Sequence, residues 1–139
     1  MKINFGRVLL GGLLTGLILN IGEWLLNDKV LATEMHALFR KCGVPLPGTT
    51  FIVIAVVITF VLGIVIVAGY AAIRPRFGPG PKTAIIAALF AWFGVVVYPS
   101  VIYAALGFTP TNVLMILLGW EVVEFLLATL AGAWLYREA

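Results

Sequence analysis

The chain has 139 residues, 63% of them hydrophobic and 11% charged, with a formal net charge of +3. A soluble domain carries about 25% charged residues, so this composition cannot cover a water-facing surface and excludes a soluble globular protein. The lone Cys42 excludes an internal disulfide or a CxxC redox centre, and the lone His36 argues against a histidine-built metal or haem site within the chain.

Four apolar runs, each near the length needed to cross a bilayer, take up most of the chain. The first covers about residues 5–27. Lys2 and Arg7 flank its start as in a secretory signal, but no small-x-small cleavage pattern follows, so it reads as a retained span. Gly12, Gly16, Asn20, Glu23 and Asn27 share one helical stripe in it. The Gly12-x-x-x-Gly16 spacing lets a second helix approach closely. The stripe is either a packing seam that ends in polar residues at the membrane surface, or it places Asn20 and Glu23 in a polar site with the fourth span.

A loop with one short helix, about residues 30–42, comes next. Leu31, Met35, Leu38, Phe39 and Cys42 fall on one face, and Lys29, Thr33, His36 and Arg40 on another. That pattern predicts an amphipathic helix lying on the membrane surface, with Gly43 as its C-cap and Pro45 and Pro47 ending the segment. The second span, about residues 51–73, closes on Arg74, Arg76 and Lys82 among prolines and glycines. Those cations suit anionic lipid head groups. Gly80-Pro81-Lys82-Thr83 lacks the glycine before lysine that a phosphate-binding loop requires, so nucleotide binding is rejected; no nucleic-acid partner is expected.

The third span, about residues 84–106, carries Tyr98-Pro99-Ser100, where a proline kink is expected with serine or water repairing the lost bond. The fourth, about residues 110–136, should start with Thr109 as N-cap and Pro110 in the first turn, and end with Trp134 and Tyr136 as interfacial anchors. Its interior holds Glu121 and Glu124, three residues apart and therefore on one face near mid-bilayer. Ala128 and Gly132 form a second small-residue face, open to packing within the chain or between copies. Two neighbouring carboxylates in a dry site do not both stay ionised at neutral pH, so at least one is expected to carry a proton. Asn20, Glu23, Tyr98, Ser100, Glu121 and Glu124 are the candidate intramembrane polar site.

These elements predict an all-α membrane protein: one domain over residues 1–139, a four-transmembrane-helix antiparallel bundle with one short interfacial amphipathic helix between spans one and two. Lys2, Arg7, Arg74, Arg76, Lys82 and Arg137 fall on one side, against Lys29, Arg40 and Lys41 on the other. The positive-inside rule then puts both termini in the cytoplasm.

The run Tyr70-Ala71-Ala72-Ile73-Arg74-Pro75-Arg76-Phe77-Gly78-Pro79-Gly80-Pro81-Lys82-Thr83-Ala84 resembles one in small four-span bacterial inner-membrane proteins, a family that comes without an assigned activity. The Gly-rich first span with Asn20 and Glu23 extends the resemblance over most of the chain. It implies a bacterial inner-membrane location. Small multidrug exporters differ in the depth of their first-span glutamate, and fluoride channels and glutathione-dependent membrane enzymes differ in their arginine signatures. No nucleophile with its base and no metal or cofactor motif is present, so an enzyme is not expected, nor a cofactor beyond a bound pigment or lipid. The expected role is an accessory or structural subunit that self-associates or joins a larger membrane complex. The alternative is a proton-coupled small-molecule carrier using Glu121 and Glu124.

Overall fold

The computed structural model describes residues 2–137. Helix α1 covers Phe5–Leu25 and runs on through a wide π turn, Leu26–Val30; α2 is Ala32–Cys42 and α3 is Thr49–Phe77. Helix α4, Pro81–Trp92, passes through a second π turn, Phe93–Val97, into α5, Tyr98–Ala105, and α6 is Thr111–Leu135. Four stretches are long and apolar enough to span a membrane: Phe5–Val30, Thr49–Phe77, Pro81–Ala105 and Thr111–Leu135. The chain is an all-α, multi-pass membrane bundle.

The spans run alternately up and down and pack in the cyclic order α1, α3, α4–α5, α6, so each neighbouring pair is antiparallel. Contacts at the two ends fix this. At one end the backbone N–H of Asn4 donates to the Tyr136 hydroxyl at 3.3 Å, and the rings of Tyr70 and Tyr136 meet edge to face at 5.9 Å. At the other end Leu26, Leu31 and Val113 bury one another, bringing the top of α1 against the start of α6. Outward faces carry exposed Phe51, Ile54, Phe90 and Leu127, which water would not tolerate as a continuous belt but hydrocarbon accepts.

Glycines set the interhelical distances. A β-carbon on Gly12 or Gly16 would overlap the α3 backbone at Ile64 or Phe60, and one on Gly63 would overlap Gly12 and Gly16 in return. Against α6, a β-carbon on Gly11 would strike the Gly132 carbonyl, and one on Gly132 would strike Thr15 and Gly11. The Thr15 hydroxyl donates to the Ala128 carbonyl at 3.0 Å, closing that seam. Both small-residue faces seen in the sequence thus pack within the chain.

Helix α2 lies where the amphipathic pattern predicts and ends in a Schellman motif. Gly43 takes φ 66° there, Gly43 N–H bonds to the Arg40 carbonyl at 3.2 Å, and Val44 N–H to the Phe39 carbonyl at 3.1 Å.

Several expected boundaries shift. Helix α3 passes through Pro75 to Phe77 instead of stopping at Ile73, because a proline in the last turn costs a single backbone bond and Gly78 N–H still reaches the Arg74 carbonyl at 2.8 Å. The strain of Pro99 is taken up by the preceding π turn, in which Tyr98 N–H bonds back to Phe93, and not by the Ser100 repair expected from sequence. Pro110, with ψ 148°, is itself the residue flanking α6, and Thr109 makes no cap bond. Trp134 faces outward, but Tyr136 is 5% exposed and packs on Tyr70 beneath Arg74, so it anchors the bundle's interior and not an interface with lipid.

Candidate functional site

The α1–α6 seam determines what happens above it. Gly11 meets Gly132 and Thr15 meets Ala128, so in this antiparallel pair each step up α1 matches a step back along α6. Carrying that register seven residues past Thr15 sets Gly22 opposite Glu121, with Glu23 and Glu124 beside them. The structure brings all three acids together: one carboxylate oxygen from each of Glu23, Glu121 and Glu124 lies within 4.8 Å of the others. Glu121 is 5% exposed and Glu124 6%, while Glu23 is half-buried.

Neutral donors hold two of the three. The Trp120 indole N–H donates to Glu124 Oε2 at 2.9 Å. The Asn27 side chain donates to Glu23 Oε2 at 3.1 Å and to the Glu23 carbonyl at 2.9 Å. Glu121 Oε2 and Glu124 Oε1 are buried without a hydrogen-bond partner. Gly22 provides the space, because a β-carbon there would overlap the Glu124 carboxyl group.

No basic side chain enters from the flanking spans, since residues 49–73 and 83–105 contain no Lys, Arg or His. With separations up to 4.8 Å and an effective dielectric of about 20, each fully ionised pair repels by about 3 kcal/mol. Lys29, six residues past Glu23, lies over the Trp24 ring instead, so the cluster calls for positive charge as protons or as a bound cation. Three oxygens at this spacing are a donor set that accepts either.

Beside the cluster, between the outer flanks of α1 and α6, lies a cavity of about 550 Å³. Ile18, Ile21 and Leu25 form one wall, and Ile116, Val123 and Leu127 the other. Gly22, Gly119, Trp120 and Glu124 complete it. Glu124 thus belongs both to the acid cluster and to the cavity.

The other sequence candidates lie elsewhere. Asn20 donates to the Gly16 carbonyl at 3.0 Å and across to the Val56 carbonyl at 3.3 Å, so it clips α1 to α3 and does not face α6. Tyr98 is 64% exposed and Ser100 is half-buried on α5. Among the described residues no hydrogen bond joins either to the acids. Arg74 stacks over the Tyr136 ring at 5.6 Å, at the opposite end of the bundle, where the end of α3 and the start of α4 also carry exposed Arg76 and Lys82. Gly22, Asn27 and Trp120 escaped the reading of the sequence as site residues. Both donors sit four residues from their acids, the spacing at which helical side chains meet, and that signal was available.

Comparison with protein-family models, with curated proteins and with solved structures finds no match at the level of sequence or of fold.

Proposed function

We propose that the chain is a proton-coupled small-molecule carrier, with Glu121, Glu124 and Glu23 as the groups that exchange protons for a ligand. The observation that supports this is the convergence of three carboxyl groups from α1 and α6 on one buried point, with unpartnered oxygens on Glu121 and Glu124 and a cavity alongside. Acids inside a membrane are costly, and a purely structural network would satisfy its oxygens. An exchange site needs free acceptor capacity. The membrane in question is the bacterial inner membrane, with both termini cytoplasmic as the cation bias indicates. The acid cluster then lies toward the outer side, and Arg74, Arg76 and Lys82 meet anionic lipids on the inner side.

A subunit of a larger complex, or a homo-oligomer, is the second reading. The Gly12/Gly16 and Ala128/Gly132 faces do not favour it, because they are already covered by α3 and α1.

The test uses proteoliposomes with a pH-sensitive dye inside and an outward proton gradient, challenged with cationic, neutral and anionic solutes. At least one solute should accelerate proton release, and Glu121→Gln should remove the effect while keeping the elution profile of the folded protein. Proton release indifferent to every solute, together with a stoichiometric companion retained after mild detergent extraction, would replace the carrier with the subunit.

A further inference from the structure

We infer that the cavity between α1 and α6 is a lateral binding site for a lipophilic organic cation, which enters from the bilayer and places its charge against Glu124. This deepens the carrier reading by naming its substrate class, and it rests on that reading only for transport, not for binding.

The argument starts from the walls. Ile21, Ile116, Val123 and Leu127 line the cavity and are themselves exposed on the face that meets lipid. Its mouth therefore opens into hydrocarbon, and Glu124 is the one ionisable residue lining it. Only a solute that partitions into the bilayer reaches such a mouth. The volume, about 550 Å³, lies in the range of drug-sized ligand pockets. Two glycines keep it open: nothing stands within 4 Å of where a Gly119 β-carbon would be, and Gly22 yields its side-chain space to the Glu124 carboxyl group.

The charge follows from the floor. Glu124 is nine-tenths buried, its Oε2 is held by Trp120, and its Oε1 has no partner. An apolar neutral ligand would leave the Glu124 carboxyl group at the cavity wall uncompensated, and an anion would meet three acids. A hydrated metal ion would have to shed its water against an aliphatic wall. An organic cation satisfies both halves of the site, with its apolar body on the isoleucines and leucines and its charge at Glu124. Trp120 also lines the cavity, where an aromatic ring can add a cation–π contact.

Binding and protonation then compete. The Glu124 carboxyl group gives up its proton to solvent as the cation arrives and regains one as it leaves, so charge in the site is conserved. The titratable groups facing Glu124 are Glu121 on its own helix and Glu23 on α1. The spans α3 and α4–α5 contribute none between residues 49–73 and 83–105 beyond tyrosines.

The probe is radiolabelled tetraphenylphosphonium, bound to the purified full chain in lipid nanodiscs. Saturable binding that weakens as pH falls is expected, with about a thirtyfold loss in Glu124→Gln, the effect of removing one partner of a desolvated charge pair. Gly119→Leu fills the cavity and leaves all three acids in place, so it should abolish binding as well. Glu124→Asp should retain part of it, which separates lost charge from lost fold. Tetraphenylborate, alike in shape and opposite in charge, should not compete. Binding that is absent, that survives both Glu124→Gln and Gly119→Leu, or that tetraphenylborate displaces equally would overturn the assignment; the last outcome would mean a groove for lipid acyl chains. If the phosphonium binds as expected while no solute moves protons in liposomes, the site stands and the carrier falls. Proton movement coupled only to a neutral solute, without phosphonium binding, gives the reverse.

Discussion

The same two helices, α1 and α6, form a closed seam in one half of the bundle and an open, acidic one in the other. In the closed half, Gly11 and Gly132 bring the backbones together, Thr15 bonds to Ala128, and Asn4 bonds to Tyr136. The nearby loop is equally well satisfied: Gly80 N–H reaches the Tyr70 hydroxyl at 3.2 Å, and the Thr83 hydroxyl reaches the Gly78 carbonyl at 2.6 Å. In the open half a cavity lined by aliphatic residues lies between the outer flanks of the two helices, and Glu121 Oε2 and Glu124 Oε1 lack partners. The closed half also holds an unmatched group, the buried Thr129 hydroxyl, but there it is one neutral hydroxyl and in the open half it is two carboxyl oxygens. Shape and charge in the open half are what the proposed carrier requires of a ligand site.

Variants in each half sharpen this contrast. The largest effect belongs to the closed seam, where Gly132→Leu would drive a side chain into Thr15 and the Gly11 backbone. Overpacking of this kind should destabilise the bundle by about 3 kcal/mol, read from the unfolding midpoint in mixed micelles. The open half should respond with the opposite sign. Glu121→Gln removes one of three acids that repel when ionised and should raise stability by about 1 kcal/mol in the same assay at alkaline pH, even as proton coupling disappears. A loss of stability there would mean that the acid holds the helices together and would undo the contrast. Trp120→Phe takes the donor from Glu124 Oε2 and should cost about 1 kcal/mol while loosening the carboxyl group's position. The smallest change is expected from Asn20→Leu, about 0.6 kcal/mol, the average worth of an interhelical hydrogen bond in a membrane.

Much of this arrangement was legible in the sequence. Hydropathy located the four spans, and the amphipathic pattern with Gly43 located α2 and its cap. Small residues at four-residue spacing located both seams. Pairing those seams would also have gone further than the spans alone, since the Gly11–Gly132 and Thr15–Ala128 register leads directly to Glu23 beside Glu121. That step needs to know which helices are neighbours, and the sequence of a four-helix ring leaves this open. Asn20 was misplaced for the same reason: it shares a stripe with Glu23, but a helix turns enough over three residues for one to face α3 and the other α6. The two π turns left no compositional signal of their own: Phe93–Val97 reads as ordinary helix, and Leu26–Val30 straddles the expected end of the first span at Asn27 and the start of the loop.

The adjacency of α1 and α6 also bears on how the protein is made. The 85 residues between the end of α1 at Leu25 and the start of α6 at Thr111 mean that α1, with its Gly22 notch and Thr15 hydroxyl, is synthesised well before α6 leaves the ribosome. Helix α6 brings two carboxylates into the bilayer, and its mean hydropathy of 2.1 in the span window is sufficient to carry them. A waiting α1 gives those acids a protein surface on arrival instead of lipid. Moving α6 ahead of α1 by circular permutation would reverse that order and leave two glutamates in the membrane before their receiving helix exists, exposing a nascent chain to quality-control proteolysis that the native order avoids.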